Sequence, residues 1–409
     1  VQGERPSNTS IGAWNISKEN FFSTTILDLL KIRATYGLSG NAPVPGQGGP
    51  FDIIGARNSA IFAGLGTGYV IFTPANDLLT WERTKTINFG VDFSLWNQRL
   101  SGYVDVYDKL TTDLLGFVPI DPTTGFSYAY DNLGSLKNKG MEIQLNSLNI
   151  KGKDFSWRTV FTLSKNNNEI LSLKRSSALT FNNKISGVQI EGYSAYPLFG
   201  YNNIGLDKSG NPLALSATND TLKLANQIKI DDPVYSGTTQ PLWYGGLTNQ
   251  ISYKNVSLSF LVVFNLGHQM RLDVNRFYTG RLLTNIPTYF ENRWKKEGDE
   301  LNTDIPKYIA NTSTSSTQRN TNFYTQGLSN IASASYAKLR DLTINYQFGK
   351  NIAHKLSMRD LTIYGQVNNI LLWTKNRSNI DPEYYDYQQG VRLDRMPAFY
   401  TFGLRASFK

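Results

Sequence analysis

The 409-residue chain has no cysteine and only two histidines, His268 and His354. Without cysteine there can be no disulfide framework and no thiolate metal site. Long apolar runs are also missing. A stretch such as Phe260–Phe264 falls far short of the roughly 20 apolar residues a membrane helix requires. Mean hydropathy is −0.33, which argues against a helical membrane protein. It does not argue against a transmembrane β-barrel, in which only alternate strand residues meet lipid. Charge is not concentrated either: Lys+Arg 41 stand against Asp+Glu 32, a net +9, with no dense basic run. The clustered patch of a nucleic-acid-binding protein is lacking, so no nucleic-acid partner is expected. The chain opens at Val1 with no initiator Met and no signal peptide, and reads as part of a longer polypeptide.

What is abundant is aromatic side chains, with Tyr 23 and Phe 22, and a repeat of period two. From Thr86 to Leu95 every odd position is apolar (Ile87, Phe89, Val91, Phe93, Leu95) and every even one small or polar. Tyr400, Phe402, Leu404, Ala406 and Phe408 alternate in the same way with polar neighbours, as do Leu342, Ile344, Tyr346 and Phe348. Phe155, Trp157, Thr159, Phe161 and Leu163 follow less cleanly, because Val160 interrupts. Such alternation sorts side chains onto the two faces of a strand, and segments of about ten residues carrying it mark membrane barrels.

The connections have a rhythm of their own. Links at Trp96–Arg99, Lys151–Asp154 and Tyr253–Asn255 are short. Between them lie long segments rich in Gly, Asn, Thr and Pro: Ser39 to Thr80, Asp108 to Leu136, Leu206 to Leu242, His268 to Ala334 and Lys375 to Pro397. Compact soluble domains rarely hold several loops of that length, whereas outer-membrane barrels pair short periplasmic turns with long extracellular loops. Alternating direction along the chain gives about 13 strands, starting near Ser10–Ile16. Two of them are placed between Leu163 and Tyr244: one at Tyr193–Gly205 and a weakly signalled one within Asn168–Ile190.

Several phrases resemble the SusC/RagA branch of the TonB-dependent outer-membrane transporters. They are Leu27–Gly37 with Ser39-Gly40-Asn41, Leu79–Gly90, and Asn132–Ile143 with its Asn138-Lys139-Gly140 core and Glu142. Further matches are Asp154–Trp157, Ser335–Thr343, Gln366–Ile370, Asp381-Pro382-Glu383 and Thr401–Leu404, all in family order. The resemblance implies an all-β fold: an antiparallel transmembrane β-barrel, present here over residues 1–409 as about 12–13 of roughly 22 strands. The plug domain and early strands would lie outside these 409 residues. It also implies active nutrient import, of a glycan or an oligopeptide, energised by a TonB complex and assisted by a SusD-like surface lipoprotein. The setting would be the outer membrane of a Gram-negative bacterium. The barrel-assembly signal would be carried by Tyr400, Phe402 and Phe408, with Phe408 penultimate rather than last.

Candidate sites follow from the two faces. Arg33, Asp92, Tyr103, Asp105, Tyr107, Glu142, Arg158 and Arg405 take inward positions, where a wet or plugged lumen tolerates charge. Of these, Arg33, Asp105, Tyr107 and Arg158 are the candidates for lining a substrate path. Tyr384, Tyr385 and Tyr387, beside Asp381-Pro382-Glu383 in a long loop, are candidates for contacting substrate or partner. Asp381 and Glu383 allow a glycosidase reading in principle, but a structural turn is preferred. Gly64–Gly68 reads as flexible loop rather than a phosphate cradle, since no strand–turn–helix surrounds it. His268 and His354 read as two surface histidines at opposite ends of the strands, too far apart for a shared site. Trp96, Trp157 and Trp373 sit beside turns, as interfacial girdles require. No catalytic residue, metal or cofactor is expected. The alternatives are a passive porin or structural barrel subunit, and, from another class, an extracellular β-rich glycan-binding or glycan-cleaving protein.

Overall fold

A computed structural model describes residues 8–408 apart from 44–45, 47, 59–66, 176–177, 277 and 282–284. Eleven strands carry the architecture: β1 Asn8–Asn15, β2 Leu27–Asn41, β3 Glu82–Leu95, β4 Leu100–Pro119, β5 Tyr128–Lys151, β6 Phe155–Leu173, β7 Trp243–Tyr253, β8 Val256–Leu266, β9 Tyr336–Gln347, β10 Met358–Thr374 and β11 Phe399–Phe408. Each is hydrogen-bonded to its sequence neighbours, so sheet order equals chain order. No described helix is long and apolar enough to cross a membrane.

The chain divides into two compact units. The first comprises residues 1–146, 164–178 and 189–195; the second comprises 147–163, 179–188 and 196–409. In the first, β1, β2, β3 and β4 form an antiparallel ladder in which Ala13, Arg33, Gly90 and Asp105 stand opposite one another in turn. In the second, β7 to β11 continue as an antiparallel ladder joined by short turns at one end and long loops at the other.

Alternation makes one face apolar and leaves it uncovered. Ile32, Ile87, Phe89, Val91 and Val106 in the first unit, and Ile344, Ile363, Phe402 and Leu404 in the second, are all exposed. Phe402 reaches 84%. An apolar surface that extends over strand after strand is foreign to a water-soluble monomer. Most strands also exceed the 9–11 residues a tilted transmembrane strand needs, with 15 in β2, 20 in β4 and 24 in β5.

Two sequence expectations are corrected. The main sheet holds eleven strands among the described residues, not about 13. β6 runs on to Leu173 and the next sheet strand is β7. The segment between them forms Phe181–Ile185 as a helix, and the short strands Pro197–Gly200 and Asn202–Leu206 pair with loop partners instead. Alternating direction is satisfied by zero intervening strands as well as by two, and Gly, Pro and Asn break the stretch into short ribbons. The supposed long loop from Asp108 to Leu136 is mostly strand, because β4 and β5 overshoot into it and leave residues 120–127 as the connection. Thr84 and Thr111 pair hydroxyls at 2.9 Å there, and Asn132 bonds the backbone of Thr80 and Asp113. Of the glycine-rich stretch, Gly64–Gly66 lie outside the described residues, and Gly68 opens into the strand Thr67–Thr73.

Candidate functional site

In the first unit the polar positions of β2, β3, β4 and β5 meet on one face. Arg33 is the hub. Its Nη2 donates to Asp92 Oδ1 and Asp105 Oδ2, each at 2.9 Å, and its Nε donates to Asp92 Oδ2 at 3.0 Å. Asn88 Nδ2 donates to the other Asp105 oxygen at 2.8 Å. Register explains how one guanidinium reaches two strands away. Gly90 stands between Arg33 and Asp105, and a Cβ there would lie 2.4 Å from the carboxylate and 2.8 Å from the guanidinium. Only glycine leaves that passage open. The fork of donors makes the arrangement specific to arginine, since a lysine could not present two parallel bonds to Asp92.

A second glycine shapes the neighbouring position. A Cβ on Gly140 would fall 2.2 Å from the Tyr107 hydroxyl, so the Tyr107 side chain lies across the β5 backbone at that point. There the hydroxyl donates to Asn166 Oδ1 at 3.1 Å, and Asn166 donates in turn to Asn138. The Asn138-Lys139-Gly140 phrase thus has a physical content: an acceptor for the network and a gap for the tyrosine ring. Above this floor opens a cavity of about 470 Å³ whose walls include Arg33, Asn88, Tyr103, Asp105, Tyr107, Lys109 and Glu142. The sequence candidates Arg33, Asp105 and Tyr107 are therefore brought together. Lys109 and Asn88 were missed, although both occupy inward positions of the same period-two pattern.

Arg158 belongs to the second unit, where it is exposed on β6. It lies on the face opposite Trp157, whose Nε1 donates to Asn249 at 2.8 Å. Arg405, also in that unit, holds its guanidinium 5.4 Å above the Tyr364 ring. Trp96 and Trp373 are exposed beside their turns. Tyr400, Phe402 and Phe408 line one exposed edge-strand face, opposite Val367, Gly365 and Met358 of β10.

The loop tyrosines are placed by a buried charge cluster in the second unit. Lys338 Nζ, its side chain 1% exposed, lies 2.9 Å from Asp381 Oδ2 and 2.7 Å from Glu383 Oε2. Arg340 bonds Glu383, Arg395 reaches Asp381 at 3.2 Å, and Tyr336 donates to Glu383 at 3.1 Å. Asp381 also caps the Pro382–Tyr384 turn of 3-10 helix. Burial pushes the Glu383 carboxyl up, but the hydrogen bonds and charges of Lys338 and Arg340 outweigh it and hold the group below the usual range. A glycosidase needs one carboxyl kept protonated, and a carboxyl held by two cations does not fit that role. The turn is structural, as the sequence indicated.

Around this cluster the three tyrosines differ. Lys338 Nζ lies 5.0 Å from the Tyr384 ring. Tyr385 is buried with Met270, Ala334 and Ile380, and its hydroxyl donates to the Arg271 carbonyl at 2.8 Å. Tyr387 packs edge-on against His268 at 5.3 Å, and burial pushes its hydroxyl up to about 12. His268 corrects an expectation. It is fully buried rather than on the surface, with both ring nitrogens lacking a partner among the described residues, while His354 is exposed. The long loop after β8 folds back over it, and burial lowers its pKa to about 4. Arg271 is buried as well, donating to the Phe199 and Gln388 carbonyls, and burial lowers its pKa to about 10. One side chain thereby ties three loop segments of this unit together. Nothing in the local sequence distinguishes either residue from a solvated one, so the sequence alone missed both.

Comparison with known proteins defines the class. Residues 14–370 match the family described as TonB dependent receptor-like, beta-barrel. The chain belongs to that family.

Among its relatives, TonB-dependent receptor P39 of Formosa agariphila is 28% identical over 90% of this chain and 39% of that protein. TonB-dependent receptor SusC of Bacteroides thetaiotaomicron is 25% identical over 97% of the chain and 39% of its own length. The chain thus spans about two fifths of the curated relatives it matches. The solved RagAB peptide transporter superposes with a TM-score of 0.77 at 23% identity, covering 98% of this chain and 43% of that one, and shows the same fold.

Proposed function

We propose that the chain forms the C-terminal part of a barrel that imports a nutrient, a glycan or an oligopeptide, across the outer membrane of a Gram-negative bacterium. Movement would be energised by TonB acting on a plug in the remainder of the protein, and a SusD-like lipoprotein would serve the extracellular mouth. The observation that carries this reading is the pairing of two unlike faces on the same strands. One is an uncovered apolar face suited to lipid, and the other is a charged face with a cavity in its wall. In a bilayer every strand residue must choose between these environments, and a charged side chain on the lipid face would cost about 2–4 kcal/mol at the midplane. Placing Arg33, Asp92 and Asp105 on the other face makes the lumen the polar conduit. Tyr384 and Tyr387, half-buried in the long loops, are the loop aromatics left to meet substrate or lipoprotein.

Gene deletion in the producing bacterium, scored by growth on peptides or on glycans as sole carbon source, tests the reading. Loss of growth on one class, restored by the full gene only when TonB is intact, is the expected result. Unchanged growth on both, or restoration that persists without TonB, would instead favour a passive or structural barrel.

A further inference from the structure

The short turns of the second unit are stitched into one rim. The Lys254 amide donates to the Asp154 carbonyl at 2.7 Å, tying the β7–β8 turn to the β5–β6 turn. The Asn255 carbonyl accepts from the Gln347 amide at 2.9 Å, and Asn255 Nδ2 donates to the Gln347 carbonyl at 2.6 Å. The β9–β10 turn follows directly, with Lys350–Lys355 as a six-residue helix. This rim is basic. Lys151, Lys153, Lys254, Lys350 and Lys355 are exposed, and none forms an ion pair among the described residues. Arg359 and Asp360 pair with each other at 3.7 Å, so Asp154 is the one carboxylate left against five ammonium groups in these turns. The short turns of the first unit are balanced by contrast, with Lys18 and Arg99 against Glu19 and Asp28. Apolar groups stand exposed among the cations of the second unit. Lys254 Nζ lies 5.4 Å from the ring of Tyr253, which shares the outward face of the sheet with its cross-strand partner Val256. In the helix Ala353 is buried, while Ile352 and Leu356, one turn apart, are uncovered.

We propose that this rim is a docking surface for anionic phosphoglyceride headgroups in the leaflet that the short turns meet, which in such barrels is the periplasmic one. The lysines hold the phosphate oxygens, while Tyr253, Ile352 and Leu356 lie among the first acyl carbons. Five exposed cations with one carboxylate among them set up a positive potential that attracts anions. The uncovered apolar side chains beside them favour a hydrocarbon phase, and a phosphoglyceride supplies both parts in one molecule. An anionic wall polymer such as peptidoglycan would meet the cations but leave the apolar groups in water. A plug in the lumen would meet the inward face, whereas the Tyr253 ring sets Lys254 against the outward one. Lysine suits the task because its long stem lies along apolar surface and carries the ammonium up to the headgroup layer. Nothing in this depends on which nutrient the barrel imports.

The test uses the full-length transporter in mild detergent and counts, by native mass spectrometry, bound phosphatidylglycerol and phosphatidylethanolamine of matched acyl chains. Phosphatidylglycerol should bind about tenfold or more tightly, the scale of one to two lysines at an anionic surface. That margin should shrink as salt is raised. Lys254→Asn combined with Lys350→Gln and Lys355→Gln should erase it; asparagine suits the left-handed backbone at 254, where φ is 49°. Lys18→Gln with Arg99→Gln, on the balanced turns of the first unit, should leave it unchanged. Heat-modifiable migration on gels shows whether each variant is folded. If the triple variant is not, Lys254→Asn alone carries the test and should lower the margin roughly fivefold. Equal binding of the two lipids, a margin untouched by the lysine substitutions, or an equal loss in the first-unit variant would each overturn the docking surface. So would a melting temperature lowered by the triple variant as much in phosphatidylethanolamine nanodiscs as in phosphatidylglycerol ones, since that result pairs these lysines with the rest of the protein. Lysine-dependent capture on peptidoglycan sacculi without a lipid margin would assign the rim to the cell wall instead.

Discussion

Arg33 depends on the hydrogen that Gly90 carries in place of a side chain. Gly90→Ala would set a methyl group 2.4 Å from Asp105 Oδ1 and break the bridge across β3. Overpacking of this kind typically costs about 1–3 kcal/mol, and urea unfolding of the lipid-embedded protein should show a loss of that size. Tyr107→Phe removes only the hydroxyl that donates to Asn166, so a smaller loss of about 0.5–1.5 kcal/mol is expected in the same assay. His268 gives a pH dependence. Its folded pKa, about 4, lies below the ordinary value near 6.5. Between those values the unfolded loop binds more protons than the folded one, so stability is complete above about 6.5 and falls as pH drops toward 4, by up to about 3 kcal/mol. Protease cleavage of the loops after β8 and β10 should rise steeply below pH 5 in the native protein. His268→Phe should flatten that rise.

At the level of elements, β9 shows why some of the site was legible and some was not. From Asp341 onward the strand alternates cleanly, and inward Asp341 accepts from Asn368 while Leu342 and Ile344 face outward. Between Leu339 and Asp341 the register shifts by a bulge. Lys338 and Arg340, of opposite parity to Asp341, nevertheless bond the same Glu383. A reading that assumes unbroken period two cannot follow the inward face through that point, so the cation beneath Asp381 and Glu383 was invisible although both carboxylates were noticed. Bulges re-aim side chains in this manner where strands leave regular pairing. Lys338→Met would leave two carboxylates short of a buried cation, a change that typically costs about 3–5 kcal/mol. Because Arg340 and Arg395 remain, the loss should be concentrated in the loop after β10. Hydrogen exchange should quicken around Ile380–Tyr387 in this variant while β10 itself stays protected. Uniform exchange across both would show that the cluster does not anchor the loop.

For the whole molecule, architecture was more legible than strand number. Alternation is written into most strands and puts Arg33, Asp105 and Tyr107 on one face, while the barrel class was legible in the rhythm of short turns and long loops and in the family resemblance. The segment between β6 and β7 could not be counted, because direction alone does not distinguish zero strands from two, and its short apolar runs pair within the loops. Burial of His268 and Arg271 depends on loops far apart in sequence closing over them, which no local pattern encodes. The central claim is that the two faces of these strands meet lipid and lumen. It is tested most directly by spin labels on single cysteines along β3, introduced from Thr86→Cys to Phe93→Cys in a cysteine-free background and read in outer-membrane vesicles. The account predicts a strict two-residue oscillation, with Ile87, Phe89, Val91 and Phe93 accessible to oxygen and Thr86, Asn88 and Asp92 to a water-soluble relaxant. Equal access of the water-soluble reagent to both faces would contradict it.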